Sequence, residues 1–209
     1  MNGLGLDERE LCAALRRGDE TAFGELVSQY HAPLQRLALA YVRTAAVADE
    51  VVQETWLGVV RGIDRFEGRS SLKTWIFRIL TNTAKTRAIR EARTVPMSAL
   101  ALDEEDKPAV DPNRFFASNE PWAGHWASPP SRWDELPEEY VGGRETLATL
   151  KAAVEKLPPM QQQVIVLRDI EGWEPSEVCE LLEISEANQR VLLHRARSKV
   201  RHALETRLG

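Results

Sequence analysis

Between residues 94 and 143 the chain cannot hold a long helix. Pro112, Pro121, Pro129, Pro130 and Pro137 interrupt it, and each proline lacks a backbone N–H and clashes with the preceding helical turn. On both sides of this segment apolar residues recur at helical spacing, and no alternating strand pattern of useful length occurs. A chain of 209 residues is long enough for one large domain or two small ones. The expected architecture is therefore all-α: two small helical domains over residues 1–93 and 144–209, joined by a linker over 94–143.

The apolar spacing divides each block further. Leu11 and Leu15 mark a first helix that Gly18 stops, and Asp19 is a good N-cap for the next. Phe23, Leu26, Val27 and Tyr30 form one face of that second helix. Pro33 is expected to break or kink it before Leu34, Leu37, Ala38 and Tyr41 resume the period. Val47, Val51, Val52, Thr55, Trp56, Val59 and Val60 make a third face ending near Gly62. Residues 66–71 read as a loop, and Leu72, Trp75, Ile76, Ile79, Leu80 and Thr83 as a fourth helix. In the second block Leu147, Leu150, Ala153 and Val154 precede Leu157-Pro158-Pro159, and Val164, Ile165 and Leu167 lie on a short helix. Pro175 suits the first turn of another helix carrying Val178, Leu181 and Leu182. After Glu183-Ile184-Ser185 a long helix carries Val191, Leu192, Ala196, Val200 and Leu204.

Charge is segregated along the chain. The net charge is −5, yet residues 61–93 hold nine Lys/Arg against three Asp/Glu and residues 187–209 hold six against one. Residues 94–143 reverse this, with three against ten. Phosphate binding responds to charge within a Debye length of about 8–10 Å rather than to the chain total. Each basic block is thus either a solvated helix face or a nucleic-acid surface. The acidic segment also contains Phe115, Phe116, Trp122, Trp126 and Trp133, unlike a solvated spacer. It either packs on the chain's own domains or buries its aromatics in a partner.

Several classes of protein are disfavoured. No stretch approaches the roughly 20 apolar residues that cross a bilayer, and the N-terminus lacks the basic start and apolar core of a secretory signal. Cys12 and Cys179 are far apart and match no metal-ligand spacing, which suits a reducing, cytoplasmic setting. His31, His125, His194 and His202 are scattered, and there is no phosphate-cradling Gly-rich loop. An enzyme is not expected, and neither is a cofactor or a metal.

Two short helices joined by a tight turn, the second one basic, can place a helix in a DNA major groove. Here the supporting helix spans Pro175 to Leu182 and the second begins near Glu186, with Ile184 between them. The second helix offers Asn188, Arg190, His194, Arg195 and Arg197. Side chains near its start reach base edges, while later cations suit phosphates. A helical hairpin inside an all-α core carries the same spacing.

The string from Leu157 to Trp173, LPPMQQQVIVLRDIEGW, followed by Leu192-Leu-His-Arg-Ala-Arg, resembles the C-terminal domain of extracytoplasmic-function sigma factors of bacterial RNA polymerase. The resemblance implies that this domain reads the promoter's minus-thirty-five element, through Glu186, Asn188, Arg190, His194, Arg195 and Arg197. Ala187 and Asn188 replace the family's usual Gly-Thr, and Val191 and Leu192 its frequent Ser-Arg. The match therefore identifies the domain and not its preferred DNA sequence.

The same family accounts for the first block. Asp49, Glu50, Gln53, Glu54 and Leu57 share one helical stripe, which in isolation is a solvated acidic face. The string Asp49-Glu-Val-Val-Gln-Glu-Thr-Trp-Leu resembles the family's polymerase-binding helix, which implies docking on a coiled coil of the largest polymerase subunit. The run from Arg65 to Lys85 resembles the loop and helix that engage the melted minus-ten element. It implies Phe66, Arg69, Lys73, Arg78, Asn82, Lys85 and Arg87 as DNA contacts, with Asn82 at a base, although Thr86 stands where relatives often have Asp. Trp75 reads as core packing. Implied partners are core polymerase (the coiled coil and the β-subunit flap), promoter DNA and an inhibitory anti-sigma factor, with the linker threading toward the RNA exit path.

Overall fold

The computed structural model describes residues 7–94 and 144–208. The expected linker and its five Phe and Trp residues therefore lie outside the described residues. Every regular element among the described residues is helical. They divide into two compact units, one of residues 7–94 with 166–189, the other of residues 144–165 with 190–208.

The first unit begins with α1 (Glu8–Arg16), α2 (Glu20–Ala38), α3 (Ala45–Gly62), a 3-10 turn (Ile63–Arg65) and α4 (Leu72–Thr94). Local chemistry sets these boundaries. Asp7 and Glu10 cap α1 reciprocally: the Glu10 N–H donates to Asp7 Oδ1 at 2.8 Å and the Asp7 N–H to Glu10 Oε2 at 2.9 Å. Gly18 takes φ +74°, the left-handed turn that ends the helix, and Asp19 Oδ1 then accepts the N–H groups of Thr21 and Ala22 at 3.0 and 3.1 Å. Thr44 caps α3 through the Val47 N–H at 3.3 Å. Ser71 caps α4, its Oγ accepting the Thr74 N–H at 3.1 Å.

Pro33, expected to break or kink the chain, does not break it, since α2 runs unbroken through it. Proline removes one donor to the Gln29 carbonyl, but Gln29 is exposed and water can satisfy it. The helix is meanwhile held by Leu26, Leu34, Leu37 and Ala38, each at most 2% exposed. Burial of this face outweighs the local defect.

α3 and α4 pack most extensively of any pair in this unit. The packed face of α3 is Val51, Val52, Thr55, Trp56 and Val59. Val60, expected on this face, is 55% exposed; it lies one step beyond Val59 and so turns outward. Gly58 permits the close approach, because a Cβ there would lie 2.9 Å from Ile79 Cγ2. We expect Gly58→Leu to destabilise the unit by about 1–3 kcal/mol despite leucine's better helix propensity. A fall in the urea midpoint at unchanged slope would register this, and an unchanged midpoint would contradict it.

The same unit includes a π-helical turn (Val166–Ile170) and the helix Pro175–Leu182, which is α7 in chain order. The second unit holds α5 (Arg144–Glu155), α6 (Pro159–Ile165) and most of α8 (Glu186–Leu208). Ala153, Val154, Leu157, Val164, Ile165, Leu193, Ala196 and Val200 are its buried apolar residues. Leu147 is instead 59% exposed. The α8 register also differs from expectation. Val191 is 47% exposed and Leu192 half-buried, while Gln189, Leu193, Ala196 and Val200 form the buried stripe at steps of four, three and four. A polar Gln189 inside the stripe disguised its phase.

Candidate nucleic-acid interface

The polar stripe of α3 faces away from its packed face. Glu50, Gln53, Glu54 and Leu57 are exposed, Leu57 by 53%, and Asp49 is half-buried. Asp49 Oδ1 accepts the side-chain amide of Gln35, which ties the stripe to α2. The exposed Val60 extends the apolar end beyond Leu57. The stripe is thus acidic and polar at its start and apolar at its end.

α4 carries the basic surface. Between its Asn82, Thr83, Thr86, Arg87 and Arg90 and Glu54 of α3 lies an open cleft of about 270 Å³. Asn82 is exposed and its amide can donate to and accept from a base edge. The Arg87 guanidinium pairs with Glu50 of the α3 stripe. Glu50 and Glu54 therefore border both surfaces. Thr83 was expected to be apolar packing, but it lines the cleft with Thr86, being one and four residues from Asn82 respectively. Lys85 is exposed on the same helix.

The loop before α4 is built differently from its sequence reading. Phe66 is 7% exposed and stacks obliquely on Trp75, with centroids 5.1 Å apart. Its carbonyl accepts Arg16 Nη2 at 2.5 Å. The ring is a wall behind the loop and is not presented for contact. Trp75 is partly buried against it, as packing requires. Arg69 is exposed and, among the described residues, bonds to its neighbour Glu67, with Nε at 2.7 Å. An ion pair this exposed contributes little, which leaves the guanidinium available to a phosphate.

Lys73 and Arg78 do not line the cleft and are engaged by the segment around α7. Lys73 Nζ sits 2.7 Å from Glu177 Oε1 and 4.1 Å from the centroid of the Trp173 ring. Burial opposes ionisation of Glu177, but hydrogen bonds from Lys73 and from the Glu174 N–H, with the Lys73 charge, outweigh it and hold the carboxyl below its ordinary value. Because the folded value is the lower one, this stabilisation is present at neutral pH and is lost as pH falls through it. Sequence patterning offered no signal for this pairing, since Lys73 and Glu177 are 104 positions apart.

The helix-turn-helix forms where expected. Pro175 opens α7, and Glu183 turns the chain in the left-handed region at φ 57°, ψ 42°. Ser185 then caps α8, its Oγ accepting the Asn188 N–H at 3.2 Å. Glu186, Asn188, Arg190, His194, Arg195 and Arg197 are all exposed along α8. Among the described residues no helix is long and apolar enough to cross a membrane.

Comparison with known proteins places these elements. The model for Sigma-70 region 2 matches residues 26–94, and that for Sigma-70 region 4 matches residues 147–200. The chain is 26% identical to the RNA polymerase sigma-H factor of Pseudomonas aeruginosa, over 95% of this chain and 94% of the relative. It is 34% identical to the ECF RNA polymerase sigma factor SigG of Mycobacterium tuberculosis, over 88% of this chain and 48% of that longer protein. Among solved structures, the sigma factor RpoE of Bartonella quintana, crystallised with the anti-sigma factor NepR, shares the fold. Its TM-score is 0.58 at 20% identity, covering 88% of this chain and 96% of that one.

Proposed function

Because this chain belongs to the extracytoplasmic-function group of RNA polymerase sigma factors, we propose that it directs core polymerase to a set of promoters by dividing three tasks along its length. Residues 1–93 bind polymerase and hold the melted minus-ten strand, residues 144–209 read the minus-thirty-five duplex, and residues 94–143 span the distance between them. One observation supports this above the others: adjacent helices carry an acidic stripe with an apolar end and a basic, amide-bearing cleft.

The stripe of Asp49, Glu50, Gln53, Glu54 and Leu57 suits a basic partner helix, since complementary charge sets orientation and the apolar residue at its end anchors it. We assign it to the coiled coil of the largest subunit. The cleft suits single-stranded DNA: Asn82 reads one unstacked base, while Arg69, Lys85 and Arg87 hold the backbone, with Lys73 and Arg78 at its upstream side. Along α8, Glu186 and Asn188 stand at the start, where base edges are within reach, and Arg190, His194, Arg195 and Arg197 follow. The C-terminal domain also meets the β-subunit flap in this reading. The chain works in the cytoplasm, without cofactor, under a one-to-one anti-sigma factor, the class of partner that accompanies the Bartonella quintana protein in its crystal.

The test is assembly on DNA. Chain plus core polymerase should form an open complex on a cognate promoter fragment, detected by single-strand-specific modification of thymines near the start site. Asn82→Ala should reduce open-complex formation about 5–150-fold, the equivalent of one lost hydrogen-bonded base contact of about 1–3 kcal/mol, while leaving core binding intact. Open complexes formed equally well with the variant would remove Asn82 from this role.

A further inference from the structure

Phe66 and Leu72 are buried, and the residues between them, 67–71, are exposed or half-buried. Gly68 turns the chain at φ +72°, and a Cβ built there would meet no atom within 4 Å. Nothing among the described residues packs on this turn, so the two ends of the loop determine where it lies. The later end is fixed by the cap of α4: Ser71 Oγ accepts the Thr74 N–H at 3.1 Å and pairs with Thr74 Oγ1 at 2.9 Å. The earlier end is fixed from a different helix. Arg16, the last residue of α1, donates from Nε to the Ile63 carbonyl at 3.3 Å and from Nη2 to the Phe66 carbonyl at 2.5 Å. The Ile63 carbonyl also accepts the Phe66 N–H at 3.2 Å, so the guanidinium fork spans the 3-10 turn from its first residue to the residue that follows it. α1 is itself firmly seated, with Leu11, Ala14 and Leu15 buried and the reciprocal cap at its start.

We propose that Arg16 is a positioning residue for promoter recognition: its guanidinium clamps the Ile63 and Phe66 carbonyls and so sets where residues 67–70 meet the melted minus-ten strand. A planar guanidinium fixes two acceptors at once in a set geometry, which an ammonium group does not. Hydrogen bonds from a charged donor are also about twice as strong as neutral ones. Discrimination between bases needs the contacting groups held to within about 0.5 Å. A glycine turn without packing contacts does not hold itself that closely, because little opposes its local motion. The clamp supplies the missing constraint from a rigid helix, and it acts on DNA through the backbone that it holds. Sequence spacing gives no sign of it, since Arg16 lies 47 and 50 positions from its two acceptors. This inference rests on the assignment of the loop before α4 to the melted strand.

The experiment uses holoenzyme assembled from core polymerase and the full chain. Promoter fragments are premelted over the minus-ten element and carry each of the four bases in turn at every unpaired position. Affinity is measured for the wild type and for Arg16→Ala, Arg16→Lys and Gly68→Val. Arg16→Ala should reduce the preference for the best base over the least favoured one about 5-fold or more, the lower end of what one aligned base contact contributes. Affinity for the least favoured base should hardly change. Arg16→Lys, which keeps the charge but not the fork, should fall between Arg16→Ala and the wild type. Arg16 is exposed as a residue, so both variants keep the core intact. An equal loss on all four bases that lysine fully restores would make Arg16 a phosphate contact and overturn the proposal, as would an unchanged preference. Gly68→Val strains the turn directly, because valine does not tolerate its positive φ, and it isolates the underlying assignment. If Gly68→Val leaves the preference intact, the loop does not read this strand, whatever Arg16 does. If Gly68→Val erases the preference and Arg16→Ala does not, the loop reads the strand without the clamp.

Discussion

A chain carrying Leu57→Arg should bind core polymerase about 30–1,000-fold more weakly than wild type, and its thermal midpoint should move by no more than about 2 °C. The large effect comes from position. Leu57 is the exposed apolar member of an otherwise polar stripe, and truncating an apolar anchor of an interface costs about 1–2 kcal/mol. Arginine also sets a like charge against the basic partner helix that the acidic stripe fits. The small effect on stability has the same origin: a side chain 53% exposed contributes little to the core, and arginine favours helix about as well as leucine. Leu57→Ala, which removes only the anchor, should cost about 10-fold. Anisotropy titration of labelled chain with core gives the affinities, and circular dichroism the midpoints. Near-wild-type binding by Leu57→Arg would place the docking surface elsewhere.

Phe77→Ala should have the opposite profile, a loss of about 3–5 kcal/mol of folding stability. Its ring is 1% exposed and meets Tyr30 and Trp173 edge-on, at interplanar angles of 87° and 65°. Deleting it removes the transfer energy of a full aromatic side chain, two edge-to-face contacts, and the support beneath the Lys73–Trp173 contact. Against a total stability of about 5–15 kcal/mol for a domain, such a loss leaves the unit marginal. Urea titration should show the midpoint falling steeply. A loss below about 1 kcal/mol would mean that the surrounding residues collapse into the vacated space.

The contrast between these two residues also explains what was legible in the sequence. The four helices of the first block, the cap at Asp19 and the helix-turn-helix follow from short-range rules of spacing and capping, and the structure bears them out. The packed face of α3 was readable for the same reason, apart from its last residue, Val60. Local rules fail where distant residues decide. Pro33 stays inside α2 because burial of Leu34 and Leu37 overrides it. Phe66, in a loop of polar and glycine residues, turns inward because Trp75 and Arg16 are there to receive it. Gln189 takes an apolar position in α8 and shifts the apparent phase. The pairing of Lys73 with Glu177 joins segments that no periodicity relates.

Whether the chain confers promoter choice on core polymerase is decided by a single reaction. Core polymerase is incubated with a genomic promoter library, with and without the purified chain, and transcript 5′ ends are mapped. A discrete set of start sites should appear only when the chain is present and should share two spaced sequence elements upstream. Transcripts whose start sites are the same with and without the chain would contradict it.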